Sequence, residues 1–202
     1  MKPLSPIRFH SNIQSMSNLK IAIGIASQGT IHTKTAYSVI ETIRLNKQTE
    51  FLPIFRYGGY IAENKAKIVE IAQNCLCSHV FFVDHDIVFN HKAFATLLAH
   101  DKDIIGVDYN YRYLPLKKMT VDIGEKSDKE PYIVKAVGGG FLLVKMKVFD
   151  KLKRPYFPME QDEDGNRVVT EDFGFYEEAR KAGFKVWCDP TLSIKHEGFY
   201  EY

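Results

Sequence analysis

Two aspartates one residue apart, Asp84 and Asp86, close the apolar run His79–Val83. In an extended chain, side chains two apart point the same way, so both carboxylates are expected to face one site. Two like charges about 6 Å apart, at an effective dielectric of about 20, repel by roughly 3 kcal/mol. A partly buried pair of this kind needs a cation or a shared proton. Oxygen ligands suit Mg²⁺ or Mn²⁺, ions that commonly accompany a diphosphate. Aspartate is also a common turn residue where a strand ends, so the pair alone does not decide.

Three further stretches carry chemistry. Val137-Gly138-Gly139-Gly140-Phe141 lies between two strand-like runs, where three glycines weaken a sheet unless something comes close to the backbone; a bulge or bend is the other reading. Thr170-Glu171-Asp172 opens a helix. Thr is a good N-cap and first-turn acids complement the helix dipole, which explains the triplet without chemistry. His196 follows the last strand-like run, and a lone histidine is more often structural than a ligand. Glu160, Asp162, Asp164, Gly165 and Glu171 fall at the spacing of a calcium loop, with Glu at its first position. Pro155 and Pro158 deny that loop its preceding helix, and Arg167 stands where an apolar residue belongs, so a turn at Asp164-Gly165-Asn166 is the more economical reading. Lys145, Lys147, Lys151, Lys153 and Arg154 form a basic cluster. Tyr109, Tyr111, Arg112 and Tyr113 supply aromatics with a cation, suited to stacking on a sugar or on a base.

The elements that hold these residues follow from hydrophobic periodicity. Lys20–Ala26 reads as a buried strand. Ala36, Val39, Ile40 and Ile43 predict a helix over Thr33–Leu45. A second strand fits Glu50–Phe55, a second helix Ile61–Cys75, a third strand His79–Val83, a third helix the region of Phe94–Leu98, and a fourth strand Asp103–Val107. This alternation predicts a mostly parallel central sheet with helices on both faces, in one domain. Ligands of such sheets collect at the carboxyl ends of the strands, where Ser27-Gln28 and Asp84-His85-Asp86 fall. The later half reads as a polar loop over Lys117–Pro131, strands at Tyr132–Val137 and Phe141–Lys145, and a short helix at Val148–Leu152. A loop over Arg154–Thr170 follows, then a helix over Glu171–Ala182 ended by Gly183, and a last strand at Phe184–Cys188.

The 202 residues, 45% hydrophobic and 26% charged with net charge +2, fit a single soluble domain spanning 19–202. Near-balanced charge argues against a dedicated polyanion binder, and 14 Phe with 11 Tyr exclude disorder as the main state. Met1–Asn18 reads as a flexible extension that lacks the apolar centre of a secretory signal, and no apolar run is long enough to span a membrane. Three cysteines, Cys75, Cys77 and Cys188, make neither a disulfide framework nor a zinc site. A reduced, cytoplasmic protein is expected.

Taken in order, Ile21–Ser27, Phe81–Asp86, Val137–Val144, Thr170–Tyr176, Ala179–Lys185 and His196 resemble the nucleotide-sugar-dependent glycosyltransferases of GT-A fold, in the family 2-like group that includes small enzymes of bacteria and their viruses. The resemblance covers Ile21–Gly198. It implies a metal-dependent transferase moving a sugar from a nucleoside-diphosphate sugar, UDP by default, to a hydroxyl acceptor, with Mn²⁺ or Mg²⁺ as cofactor. It implies that Asp86 and His196 bind the metal, and that Asp84 holds the ribose or joins the metal shell. Ser27, Gln28, Asn64, Lys67, His85 and Gly139 would line the donor, and Gly140, with Tyr111 and Arg112, the acceptor. Asp172 would be the base of an inverting reaction and Glu171 its companion. Glu63-Asn64 replaces the Arg-Asn common in the group, so a phosphate-binding role would pass to Lys65 or Lys67. The chain is short for the fold, which suits a small acceptor or a site completed by another subunit. The acceptor is a saccharide or a hydroxymethylated DNA base. A sugar-phosphate nucleotidylyltransferase uses a similar sheet, but Ala26–Ile31 lacks its glycine- and arginine-rich, Lys-ending loop. A non-catalytic nucleotide-sugar-binding module would tolerate loss of the base.

Overall fold

The computed structural model describes residues 19–112, 115–164 and 167–198. The extension read at 1–18, Tyr113 and the turn at Gly165-Asn166 lie outside the described residues. In chain order the elements are β1 (Leu19–Ser27), α1 (Thr33–Leu45), β2 (Thr49–Tyr57), α2 (Ile61–Asn74), β3 (His79–Val83), β4 (Ile87–Val88), α3 (His91–Ala99), β5 (Ile104–Val107), β6 (Val121–Asp122), β7 (Tyr132–Ala136), β8 (Phe141–Lys145), α4 (Met146–Phe149), β9 (Glu160–Gln161), β10 (Arg167–Val169), α5 (Glu171–Lys181), β11 (Val186–Asp189) and β12 (Lys195–His196).

Eight strands form the central sheet in the order β2-β1-β3-β8-β5-β11-β7-β6. β1 pairs in parallel with both β2 and β3, and β11 with β5. β8 runs antiparallel between β3 and β5, and β7 antiparallel to β11 and β6. Six of the eight strands therefore share one direction. This is the Rossmann-like α/β layout of GT-A type expected, in mixed form. The chain crosses from β1 through α1 to β2, then returns through α2 to β3 on the other side of β1. That reversal opens a crevice at the carboxyl ends of β1 and β3.

Alternation along β1 divides the core. Ile21, Ile23 and Ile25 pack with Val39 of α1 and Phe94 and Leu97 of α3 on one face. Ala22 and Ala26 pack with Ile68, Val69 and Ala72 of α2 and with Phe175, Tyr176 and Ala179 of α5 on the other. Gly24 stands between those two alanines, and a Cβ there would lie 2.5 Å from Cγ2 of Ile68. The small-residue row lets α2 sit close on β1. Pro53 falls in β2, the edge strand, where a missing N–H is tolerated.

Several boundaries differ from the sequence reading. The expected polar loop contains β6, and the loop before α5 contains the antiparallel β9–β10 pair. The short helix α4 sits two residues earlier than its apolar spacing suggests. β11 is not the last strand: β12 follows it and pairs antiparallel with β4, setting His196 opposite Ile87. Both are two residues long, too short for any periodicity to reveal. α5 ends as expected, with Gly183 at φ +89°. Among the described residues no helix is long and apolar enough to cross a membrane.

His79, at the start of β3, is buried. Burial, with Lys145 adding and Asp101 and Asp103 opposing, drives its imidazole down to about 4. The unfolded chain takes up a proton near the ordinary value of 6.5, which the folded chain refuses until about 4, so stability falls as pH drops through that window. The expected loss from this group is about 2 kcal/mol by about pH 5. His79→Gln should flatten the acid side of the stability–pH curve measured by urea denaturation.

Candidate active site

β3 ends at Val83 and the chain turns at once, with the carbonyl of Asp84 accepting the N–H of Ile87 at 3.2 Å. Asp84 and Asp86 therefore sit on a tight turn, and that turn, not strand alternation, sets their side chains, because the extended backbone has already ended. Asp84 lies against Gly140 and the Tyr109 hydroxyl. Asp86 faces Arg112, His85 and His196. Their environments push the two acids apart. Burial raises Asp84, Asp172 and Asp86 add to the rise, and Lys65 opposes it. Burial also works to raise Asp86, but His196, His85 and Arg112 outweigh it and hold that carboxyl below its ordinary range.

The three glycines make room for the protein's own side chains. A Cβ at Gly138 would enter the Tyr109 ring, one at Gly139 the carboxyl group of Asp172, and one at Gly140 that of Asp84. Gly140 also donates its N–H to the Tyr109 hydroxyl at 2.9 Å and accepts the Asp84 N–H at 2.8 Å. β8, running antiparallel beside β3, thus brings the glycine segment and the acidic turn into register.

Asp172 reaches the same place from the first turn of α5. Thr170 does not cap that helix with its side chain; the first-turn acids Glu171 and Asp172 stand at its positive end instead. Both face Lys65 of α2, whose ammonium lies 2.5 Å from Asp172 Oδ1 and 3.7 Å from Glu171 Oε1. Lys65 is only 3% exposed. Burial works to lower its pKa, yet Asp172, Asp84 and Glu171 together raise it above the ordinary lysine value.

The other half of the site is a possible cation position. His196 Nδ1 lies 3.0 Å from the carbonyl of Asn110, which can only accept, so Nδ1 carries the proton. Nε2 then points at Asp86 Oδ1, 3.4 Å away, forming an ion pair when the ring is protonated and presenting a lone pair when it is not. That oxygen is buried and, among the described residues, has no hydrogen-bond partner. Two facing acceptors repel unless a proton or a cation lies between them. A ring held by a backbone carbonyl with its second nitrogen turned to a carboxylate is a suitable donor pair for a divalent ion. Among the described residues no three His, Cys, Asp or Glu side chains gather as a metal cage. Two protein ligands fit an ion whose remaining positions come from phosphate and water, as Mg²⁺ prefers. Arg112 pairs with the other oxygen of Asp86.

A clasp holds the His196 strand in place. Glu197 donates its N–H to the Asp86 carbonyl at 2.8 Å, and its carboxylate pairs with His32 at 3.1 Å and Lys34 at 2.6 Å. His32 in turn donates its N–H to the His85 carbonyl at 2.9 Å.

The remaining sequence candidates divide. Ser27 and Gln28 sit at the carboxyl end of β1, beside β3; Ser27 Oγ accepts the Gly29 N–H at 3.1 Å and Gln28 is exposed. His85 is half-buried next to Asp86. Asn64 is buried and donates its amide to the Gly58 carbonyl, so it fastens the turn into α2. Lys67 points away from the acids and pairs with Glu70 at 2.8 Å. Positions 65 and 67 lie about 200° apart around a helix, so only one can face the site. Tyr111 donates its N–H to Lys117 and is half-buried, and Arg112 joins the acidic turn. Two members of the basic cluster lie away from the site: Lys145 and Lys147 pair with Asp101 and Asp103 beside the start of β3, at the opposite edge of the sheet. Tyr109, expected as a stacking aromatic, instead packs against the glycine segment, and the clasp residues His32, Lys34 and Glu197 carry no signal in the sequence as parts of the site.

No protein-family model matches the chain, and no curated protein matches it. Among solved structures it is similar to A197 from STIV, with a TM-score of 0.62 at 15% identity over 89% of this chain and 85% of that one. That likeness shows the fold. A putative glucose-1-phosphate thymidylyltransferase from Bacillus anthracis, solved with sucrose, aligns at a TM-score of 0.49 and 10% identity, over 89% of each chain. An apo-UDP-glucose pyrophosphorylase aligns at 0.46 and 8%, over 88% of this chain and 74% of its own. Neither alignment is close enough to bear on function.

The packing around Gly139 can be tested directly. Gly139→Ala should force Asp172 from its place and cost about 1–3 kcal/mol in urea denaturation. Gly198→Ala, whose new methyl would meet nothing nearer than 3.9 Å, should leave stability within about 0.5 kcal/mol.

Proposed function

We propose that the protein is a glycosyltransferase that moves a sugar from a nucleoside-diphosphate sugar to a hydroxyl acceptor with inversion, using Asp172 as base. The observation that carries this reading is the buried Oδ1 of Asp86, without a hydrogen bond among the described residues and facing Nε2 of His196 at 3.4 Å, on the turn that also sets Asp84 beside the glycine segment. Asp86 and His196 are the residues that would hold Mn²⁺ or Mg²⁺, which when bound neutralises a departing diphosphate. Asp84, lying against Gly140, suits a hydroxyl of the donor's ribose or sugar. Asp172 takes the proton of the acceptor hydroxyl as its oxygen bonds the anomeric carbon and the bond to the diphosphate breaks. Glu171, beside it, orients the base or contacts the donor sugar. Ser27 and Gln28 border the nucleoside, UDP by the resemblance, and Arg112, with Tyr111, borders the acceptor. The pairing of Lys145 and Lys147 with aspartates at the opposite edge favours a saccharide acceptor over DNA.

The experiment is a screen of nucleoside-diphosphate sugars with Mn²⁺, following donor hydrolysis and transfer to saccharide acceptors. Asp172→Asn should lower transfer by about 10²–10⁴-fold with metal-dependent nucleotide binding nearly intact. Asp86→Ala should weaken both. Full activity in Asp172→Asn sinks the base assignment, and nucleotide binding indifferent to chelator sinks the metal assignment.

A further inference from the structure

Lys65 enters no step of that reaction, yet it is a lysine sealed into the interior among acids. An ammonium so placed is costly unless carboxylates face it. Asp172 Oδ1 takes it at 2.5 Å and Glu171 Oε1 lies 3.7 Å away. The other groups around Asp172 are acidic or neutral: Glu171 and Tyr176 from α5, Asp84 from the turn after β3, Tyr109 from beyond β5, and the Gly139 backbone before β8. Among the described residues Lys65 is the cation of this group.

We propose that Lys65 is a positioning residue for Asp172, holding its Oδ1 so that Oδ2 is left to take the acceptor's proton, and that it does not bind the donor's phosphates. The inference rests on Asp172 being the base. A diphosphate approaching Lys65 would meet Asp84, Asp172 and Glu171 first, and the second lysine of the pair, Lys67, is turned outward to Glu70. Through the transfer Lys65 keeps all its protons. The proton that moves passes from the acceptor hydroxyl to Asp172, and the electron pair of the broken bond leaves with the diphosphate.

The sign of the effect follows from the charges. Without the ammonium, Asp172 faces Asp84 and Glu171 alone, so its proton is held more tightly and the acid limb of the rate moves to higher pH. Lys65→Met, of similar length, should move that limb up by about one pH unit or more. It should lower kcat above the limb and change the dissociation constant of the nucleoside diphosphate by less than about threefold. Lys65→Arg should restore the limb. A second readout needs no turnover. Carboxyl-carbon NMR titration of the donor-free protein should show the same upward shift for Asp172, whose signal is the one missing in Asp172→Asn. An unmoved limb and an unmoved Asp172 titration overturn the proposal. So does a loss of nucleotide affinity of about tenfold with the limb unchanged, which would make Lys65 a phosphate ligand. If no nucleotide sugar is turned over, the reading of the site fails while the NMR titration still decides whether Lys65 governs Asp172. If Lys65→Met does not fold, Lys65→Gln carries the same expectations in both measurements.

Discussion

Negative charge gathered in a partly buried place must be matched by positive charge, and this requirement organises the carboxyl edge of the sheet. Asp84, Asp86, Glu171 and Asp172 converge from one turn and one helix end, where like-charge repulsion through protein is far stronger than in water. The protein meets the requirement in two separate ways. Lys65 stands among Asp84, Glu171 and Asp172, while Arg112, His85 and His196 surround Asp86. Everything that fixes these groups serves that balance: the small-residue row that seats α2 on β1, the antiparallel insertion of β8, and the β4–β12 pair with its Glu197 clasp.

The division also separates two chemical tasks. On the Asp86 side a buried carboxylate oxygen, without a hydrogen bond among the described residues, faces an imidazole nitrogen 3.4 Å away. On the Asp172 side one ammonium from the protein stands among three acids and meets the nearest at hydrogen-bond distance. One half leaves a buried oxygen without a hydrogen bond, and the other ties its nearest acid to an ammonium. Tyr109 links them, with its hydroxyl on Gly140 and its ring edge-on to His196, centroids 5.4 Å apart.

Much of this was legible in the sequence, for local reasons. β3 and α1 announce themselves by apolar runs and helical spacing, and Asp84, Asp86, the three glycines, Glu171 and Asp172 fall where those elements end. Other parts depend on contacts between distant residues, which no local pattern encodes. The Lys65–Asp172 pair spans 107 residues, and the His196–Asn110 bond spans 86. β4 and β12 are too short to show any period. The glycines were read as a bend or a place for a ligand, when their immediate neighbours are Tyr109, Asp172 and Asp84. For Lys65 a usable signal existed. It lies four residues after Ile61 and three before Ile68, squarely on the buried stripe of α2, whereas Lys67 falls off it. A lysine on an apolar stripe announces a buried counter-ion, and helical phase alone separates the two lysines.

The placement of Lys65 has a consequence for how the chain comes together. α2 and β1 lie within the first 74 residues and pack through Gly24 and Ile68, yet the helix face that docks carries an ammonium whose nearest acid belongs to a much later segment. Docking of α2 before α5 arrives leaves that charge without most of its partners, a local choice at odds with early burial. The early βαβ unit is therefore held back from closing as an independent piece, and the two halves of the sheet gain their stability together. The same contact that orders the carboxyl edge makes folding of the domain cooperative over a long stretch of sequence, at the expense of speed.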